Sequence, residues 1–255
     1  MENINAQREL KALLDEQVRL INTPSFIETD PVQFPRRYER LQDIEIVSLV
    51  VSAIAWGKRE MILRDAERIL AKMNGNPYEY LMNENYRALG TANLHRTFFE
   101  PDLAYMLRGL RKIYSGNDTI ESFLQNRQAQ NAWSIACALQ SEMAAANNGE
   151  ENSKCLPLRT EKSALKRLNL ALRWLVRNDG IVDLGVWKTL KPSQLFIPLD
   201  VHVANVARKL GILQRKSNDR QAVEELTAVL RTFCPEDPVK YDFALFGIGI
   251  GGKIL

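Results

Sequence analysis

Apolar residues along this chain recur at three- and four-residue spacing, the signature of amphipathic helices. Leu10, Leu13, Leu14, Val18 and Ile21 make the first stripe. A loop with two prolines, Asp30-Pro31-Val32-Gln33-Phe34-Pro35, precedes a more apolar helix through Ile44, Val47, Val50, Val51 and Ile54. Asp43 is placed to cap that helix and Gly57 to stop it. Lys58–Met73 reads as a helix with Ile62, Ala66, Ile69 and Leu70 inward, closed by the turn Gly75-Asn76-Pro77. Further helices are predicted over Pro101–Tyr114, Ile120–Leu124, Ala129–Ala146, from Thr160 or Ser163 to Arg177, and over Asp200–Leu210, Ala222–Phe233 and Asp237–Phe246. No stretch alternates as a strand should, and no internal repeat or low-complexity tract appears. The expectation is an all-α protein of roughly ten helices.

At 255 residues the chain can bury a sizeable core. We expect one helical unit over residues 1–255, divisible into a barrel-like half at 41–150 and a second half made of 1–40 and 151–255. Cys137, Cys155 and Cys234 are widely spaced, and only two histidines accompany them. That argues against a zinc site or an iron–sulfur cluster, and free thiols suit a reducing cytoplasm. Met1–Leu20 is charged and amphipathic, unlike a signal peptide, and the apolar run around Val47–Trp56 is too short to span a bilayer.

Charge changes the picture more through its placement than its total. The net charge is +3, but residues 154–177 carry +6 and residues 205–220 carry +4, leaving the remainder at −7. A basic face of this kind suits a polyanion, although a charge run also serves simply to solvate a helix. At 100° per residue, Lys162, Lys166, Asn169, Arg173 and Arg177 share one face of the predicted 160–177 helix. Ala164, Leu165, Leu168, Ala171, Leu172 and Leu175 share the other. The expectation is a buried leucine face and an exposed cationic strip.

Lys166 and Asp200 are the candidate chemistry. Taken singly, each has a plain use: a surface lysine, and an N-cap of the helix that follows Pro198-Leu199. Together they match a need. A glycosidic bond breaks through a cation-like sugar that a fixed carboxylate stabilises, and a neutral lysine amine can attack the same carbon. Partial burial and the neighbouring Lys162, Arg167 and Arg173 would push the Lys166 pKa down.

The stretch Pro198-Leu199-Asp200-Val201-His202-Val203, with Val206 and Lys209-Leu210-Gly211-Ile212 behind it, resembles the signature of the helix-hairpin-helix DNA glycosylases. Lys166, followed by Asn169, Leu172 and Arg173, falls where that superfamily carries its Schiff-base lysine. Val51-Ser52-Ala53-Ile54-Ala55, with Leu63 and Leu70, is similar to an early helix of the same fold. A narrower resemblance rests on three stretches, residues 30–37, residues 166–174 and residues 237–247. These look like a bacterial family of unknown function common in Bacteroides-like organisms, itself similar to lysine-dependent, cluster-free 8-oxoguanine glycosylases.

The resemblance implies a monomeric base-excision repair glycosylase with AP lyase activity, needing no metal or organic cofactor. It implies a double-stranded DNA partner carrying a damaged base, by analogy an oxidised purine, held in a cleft between two helical halves. Lys166 and Asp200 would be catalytic, and Arg159, Lys162, Ser163, Arg167, Arg173 and His202 would contact DNA. Trp56, Trp133, Trp174 and Trp187 are candidates to stack a flipped base, Trp187 foremost because its loop leads to Asp200. The superfamily's hairpin usually turns through Gly-hydrophobic-Gly, but Lys154–Lys162 has no glycine. The phosphate contact is therefore expected at the Thr160–Ser163 helix start. Val201 stands where threonine is frequent, and Ile54 replaces a glutamine that fills the gap left by a flipped base in some relatives. The C-terminal glycines 247, 249, 251 and 252 are expected to end the last helix. Two other readings stay open: a non-catalytic nucleic-acid binder on the same fold, and a helical interaction protein with an acidic partner.

Overall fold

The apolar periodicity is realised as helices throughout the computed structural model, which describes residues 2–251. In chain order these are α1 (Glu2–Ile21), α2 (Pro24–Thr29), α3 (Leu41–Ala53), α4 (Arg59–Ala71), α5 (Pro77–Met82), α6 (Glu100–Tyr114), α7 (Ile120–Asn126), α8 (Ala132–Ala145), α9 (Lys166–Val176), α10 (Val201–Lys209), α11 (Arg220–Phe233) and α12 (Tyr241–Gly251). The protein is all-α apart from one small departure. Asn93–His95 (β1) and Phe98–Phe99 (β2) pair antiparallel across a tight turn at Arg96-Thr97, where Arg96 takes a left-handed φ of 50°. Strands this short leave no alternation for a sequence to display.

α3 is the axis of the core. Every residue from Asp43 to Ala53 is buried, because the helix is apolar nearly all round and packs against α5, α6 and α9. Its most deeply buried carboxylate, Glu45, accepts from Tyr114 Oη at 2.8 Å, the Ile120 and Glu121 amides at 2.9 and 3.0 Å, and Trp187 Nε1 at 2.7 Å. Burial pushes the Glu45 pKa up, and the four donors offset that cost. Trp187 is therefore a core residue and is withdrawn as a base-stacking candidate.

Asp43 caps a different helix from the one expected. It lies inside α3, and its carboxylate accepts from the Tyr78 amide at 2.7 Å, at the start of α5. The C-terminal glycines also differ from expectation. Gly247 and Gly249 sit inside α12, which runs to Gly251. A Cβ at Gly247 would stand 2.5 Å from Ile21 Cγ1, so its bareness lets α1 and α12 touch. Gly252 lies outside the described residues. One continuous hydrophobic cluster runs from Leu14 to Ile248. Among the described residues, no helix is long and apolar enough to cross a membrane.

Candidate functional site

The helix that carries Lys166 starts later than its periodicity suggests. Thr160–Lys162 is a 3-10 turn, and Leu165 takes a left-handed conformation with φ 50°. Leu165 is buried, and its amide donates to Ser163 Oγ at 3.2 Å. The first α-helical bond is Asn169 N to Leu165 O at 2.8 Å, which makes Lys166 the first residue of α9.

That start aims two cations at the end of α3. The last carbonyls of a helix are unpaired and carry partial negative charge. Lys166 Nζ donates to Ala55 O at 2.8 Å, and Arg167 Nη1 donates to Ala53 O at 2.7 Å and Lys154 O at 2.6 Å. Asp200 approaches Lys166 from the other side. As N-cap of α10 it uses Oδ1 to accept from the Val203 amide at 2.9 Å, leaving Oδ2 3.9 Å from Lys166 Nζ. The two side chains keep 29% and 33% of their surface exposed, so the pair is reachable from solvent. Burial is the largest influence on Lys166 and lowers its pKa; Asp200, Asp242 and Asp30 oppose this, while Arg167 adds to it.

The C-terminal half of α9 corrects the expectation of an exposed cationic strip. Asn169, Arg173 and Arg177 are buried. Arg173 Nε meets Asp183 at 3.2 Å, and its Nη1 meets Asp242. Arg177 meets Asp179, Asp183 at 2.9 Å and Asp237 at 2.8 Å. Both guanidinium groups also lie over the Phe243 ring, at 4.3 and 5.3 Å. Arg173 therefore cannot reach a DNA phosphate. The wheel placed the cations correctly on one face, but it could not show that acidic residues from 179–183 and 237–242 cover that face. Burial pushes the Asp242 carboxyl up to about 6 against the pull of Arg173, and it raises Asp30 in the same way.

The remaining candidates separate by exposure. Arg159, Lys162 and His202 face solvent, and His202 sits in the first turn of α10. Ser163 is half-buried, with its hydroxyl spent on the Leu165 amide. Arg167 is half-buried and ties the Lys154 loop to α3. In the second basic segment, Arg208 bonds the 215–218 loop and Arg215 pairs with Asp219, while Lys209 and Lys216 remain exposed. A cavity of about 310 Å³ lies beside the first turn of α9, lined by Leu49, Met106, Met143, Cys155 and Leu156, with Lys166 and Arg167 at its edge. Burial pushes the Cys155 thiol up to about 12, so it is protonated and unreactive at neutral pH. Among the described residues, no cluster of three or more His, Cys, Asp or Glu side chains is placed to hold a metal ion.

Comparison with known families returns one result. A family model described as "Protein of unknown function (DUF2400)" matches residues 30–251. The chain belongs to this family. The matched span begins at Asp30, whose buried carboxylate faces Arg59 at 3.4 Å, and it takes in the Lys166–Asp200 pair and all of α12. Curated proteins and solved structures gave no match. Sequence reasoning missed two features around Lys166. One is the pair of buried carboxylates, Asp30 and Asp242; both lay in stretches noted for their resemblance, but nothing in their spacing pointed to α9. The other is Arg96 over Trp56: Trp56 is among the four base-stacking candidates, but its partner appears only once the β-hairpin folds back on the end of α3.

Proposed function

We propose that this protein is a DNA glycosylase with AP lyase activity, acting on a damaged base through Lys166 and Asp200. The observation that carries the reading is the approach of Lys166 Nζ to Asp200 Oδ2 at 3.9 Å, with both side chains open to solvent. The amine sits where burial favours its neutral form, which is the nucleophile. The Asp200 carboxylate has one oxygen fixed by the α10 amide and the other turned toward the amine. A fixed anion there stabilises positive charge as it grows on the sugar.

The chemistry would run as follows. An extruded nucleotide presents its anomeric carbon to Lys166. The amine lone pair bonds to that carbon while the glycosidic electrons leave with the base, which takes up a proton. The amine loses a proton and the sugar ring opens to an imine. Loss of the adjacent C2′ proton then expels the 3′ phosphate, and water releases the lysine. An oxidised purine is the substrate suggested by the family resemblance.

Borohydride trapping tests this directly. Duplexes carrying an abasic site or 8-oxoguanine should give a covalent adduct that Lys166→Ala abolishes. An adduct that survives Lys166→Ala, or none on any substrate, defeats the assignment.

One observation favours a second reading, a non-catalytic nucleic-acid binder. Lys166 Nζ is already engaged by Ala55 O, as a purely structural lysine would be. Salt-sensitive duplex binding without cleavage across a panel of lesions would select that reading.

A further inference from the structure

Three of the four tryptophans are core residues: Trp133, Trp174 and Trp187 are 6%, 0% and 2% exposed. Trp56 alone keeps part of its surface open, and it sits one residue after the carbonyl that holds Lys166. Its backbone is fixed as firmly as that of Ala55. Trp56 O accepts from His95 Nε2 at 2.8 Å, and His95 Nδ1 in turn meets Asp65 Oδ2 at 2.8 Å. The His95 ring also packs edge-on against the indole, with centroids 5.5 Å apart. The side chain is thus anchored along one edge.

Arg96 covers one face of that indole. It comes from the tip of the β1–β2 hairpin and places its guanidinium 4.6 Å from the ring centroid. Gly57 makes room for it: a Cβ there would stand 2.8 Å from Arg96 Nη1, and the glycine's φ of +102° is one that other residues rarely adopt. Among the described residues Arg96 has no carboxylate partner within ion-pair distance, unlike Arg173 and Arg177. The next hairpin residue, Thr97, accepts from Lys154 Nζ at 3.2 Å, and Lys154 O accepts from Arg167. The hairpin, the Lys154 loop and the end of α3 are therefore tied into one rim beside Lys166.

An anchored, part-exposed indole under an unpaired guanidinium, next to a candidate nucleophile, fits one class of ligand. A nucleobase offers a π face to the indole, and its flanking phosphate offers a negative charge to the arginine. We infer that Trp56 stacks an unpaired base of the bound nucleic acid, and that Arg96 swings from the indole to the adjoining phosphate as it does so. This rests on the nucleic-acid reading above and names the element that would hold the strand open beside Lys166.

The test uses the full chain and a duplex with 2-aminopurine opposite an abasic site. Binding by the unaltered protein should quench 2-aminopurine emission, and the protein's own tryptophan emission should change. The second signal should vanish in Trp56→Phe, because the other three tryptophans are buried. Trp56→Ala should lose the 2-aminopurine quench and weaken binding about tenfold or more, the scale of one lost base stack. Arg96→Gln should keep the quench and lower the slope of log affinity against log salt by about one. Two results are informative in opposite ways. If the duplex binds and Trp56→Phe leaves the tryptophan signal intact, this inference fails and the glycosylase reading stands. If no duplex binds at moderate salt, both fall together. Trp56→Phe also covers the case in which Trp56→Ala does not fold.

Discussion

The two ends of α9 carry cations on the same face under opposite conditions. At the C-terminal end Arg173 and Arg177 are sealed, and four carboxylates, Asp179, Asp183, Asp237 and Asp242, supply their counter-charge. At the N-terminal end Lys166 is part-exposed, leans on a backbone carbonyl, and has a single carboxylate at 3.9 Å. A buried ion needs close partners to offset the loss of water, and the distal half has them. Lys166 is under-compensated by the same standard, and its lowered pKa is the physical expression of that difference. The comparison separates cations that hold the fold from one left short of counter-charge.

The largest expected effect comes from breaking the sealed half. Asp183 is buried and accepts from both Arg173 and Arg177. Asp183→Asn leaves two buried cations short of charge and should cost about 3–5 kcal/mol. Urea unfolding would show this, as would a melting midpoint lower by on the order of 10 °C. A loss below about 1 kcal/mol would mean that the distal network does not organise the fold, and the contrast between the two ends would lose its meaning.

The open half should answer in chemistry rather than in stability. Asparagine caps a helix about as well as aspartate, so Asp200→Asn should change unfolding free energy by no more than about 0.5 kcal/mol. Adduct formation should fall by about 10²–10³, the usual effect of removing one fixed electrostatic group from a reacting centre. Trapping rates and urea curves on the same preparation separate the two roles. Unchanged trapping with unchanged stability would make Asp200 a cap and nothing more.

The helices were legible because their stripes are long and regular. α3 was recognisable from Ile44, Val47, Val50 and Val51, and the start of α10 from Pro198 and Asp200. The site was only half legible. Lys166 and Asp200 carry sequence context, whereas Asp30 and Asp242 reach Lys166 only through tertiary packing. A helical wheel reports which residues share a face and is silent on what covers it, which is why Arg173 and Arg177 were misread. The start of α9 was misread for a local reason: Leu165 takes a left-handed conformation that its side chain does not advertise. The Trp56–Arg96 stack depends on a two-residue turn between very short strands, below the length at which periodicity can speak.

The pH response sharpens the comparison further. Burial lowers the Lys166 pKa below its ordinary 10.5, so the rate of adduct formation should rise with a midpoint below that value. The Asp200 anion opposes the shift, so Asp200→Asn should move the midpoint lower still while reducing the maximal rate. The same group sets a stability trend. Between the lowered folded value and 10.5 the unfolded chain binds more protons, so its contribution to stability rises with pH across that window. Asp242 runs the other way. Its folded value of about 6 exceeds 3.8, so its contribution is present below 3.8 and is lost as pH rises through 6. Urea midpoints for wild type minus Asp242→Asn, taken from pH 4 to 7, should show that decline and then level off. A flat difference would place no titration at Asp242.

The smallest effects belong to the exposed cations that precede α9. Arg159 and Lys162 face solvent with no carboxylate within ion-pair distance among the described residues. Replacing either with glutamine should leave stability within about 0.5 kcal/mol, as is usual for surface positions. If they meet DNA phosphates, each replacement should weaken duplex binding uniformly across sequences and lower the salt slope by about one. Arg173 cannot respond in that way, since its charge is neutralised inside the protein whether or not DNA is present. Measuring the three slopes side by side therefore asks where between residues 159 and 173 the polyanion stops. Equal slopes for Arg159→Gln, Lys162→Gln and wild type would remove the phosphate contact from the start of α9 and leave the basic patch as a solvated surface.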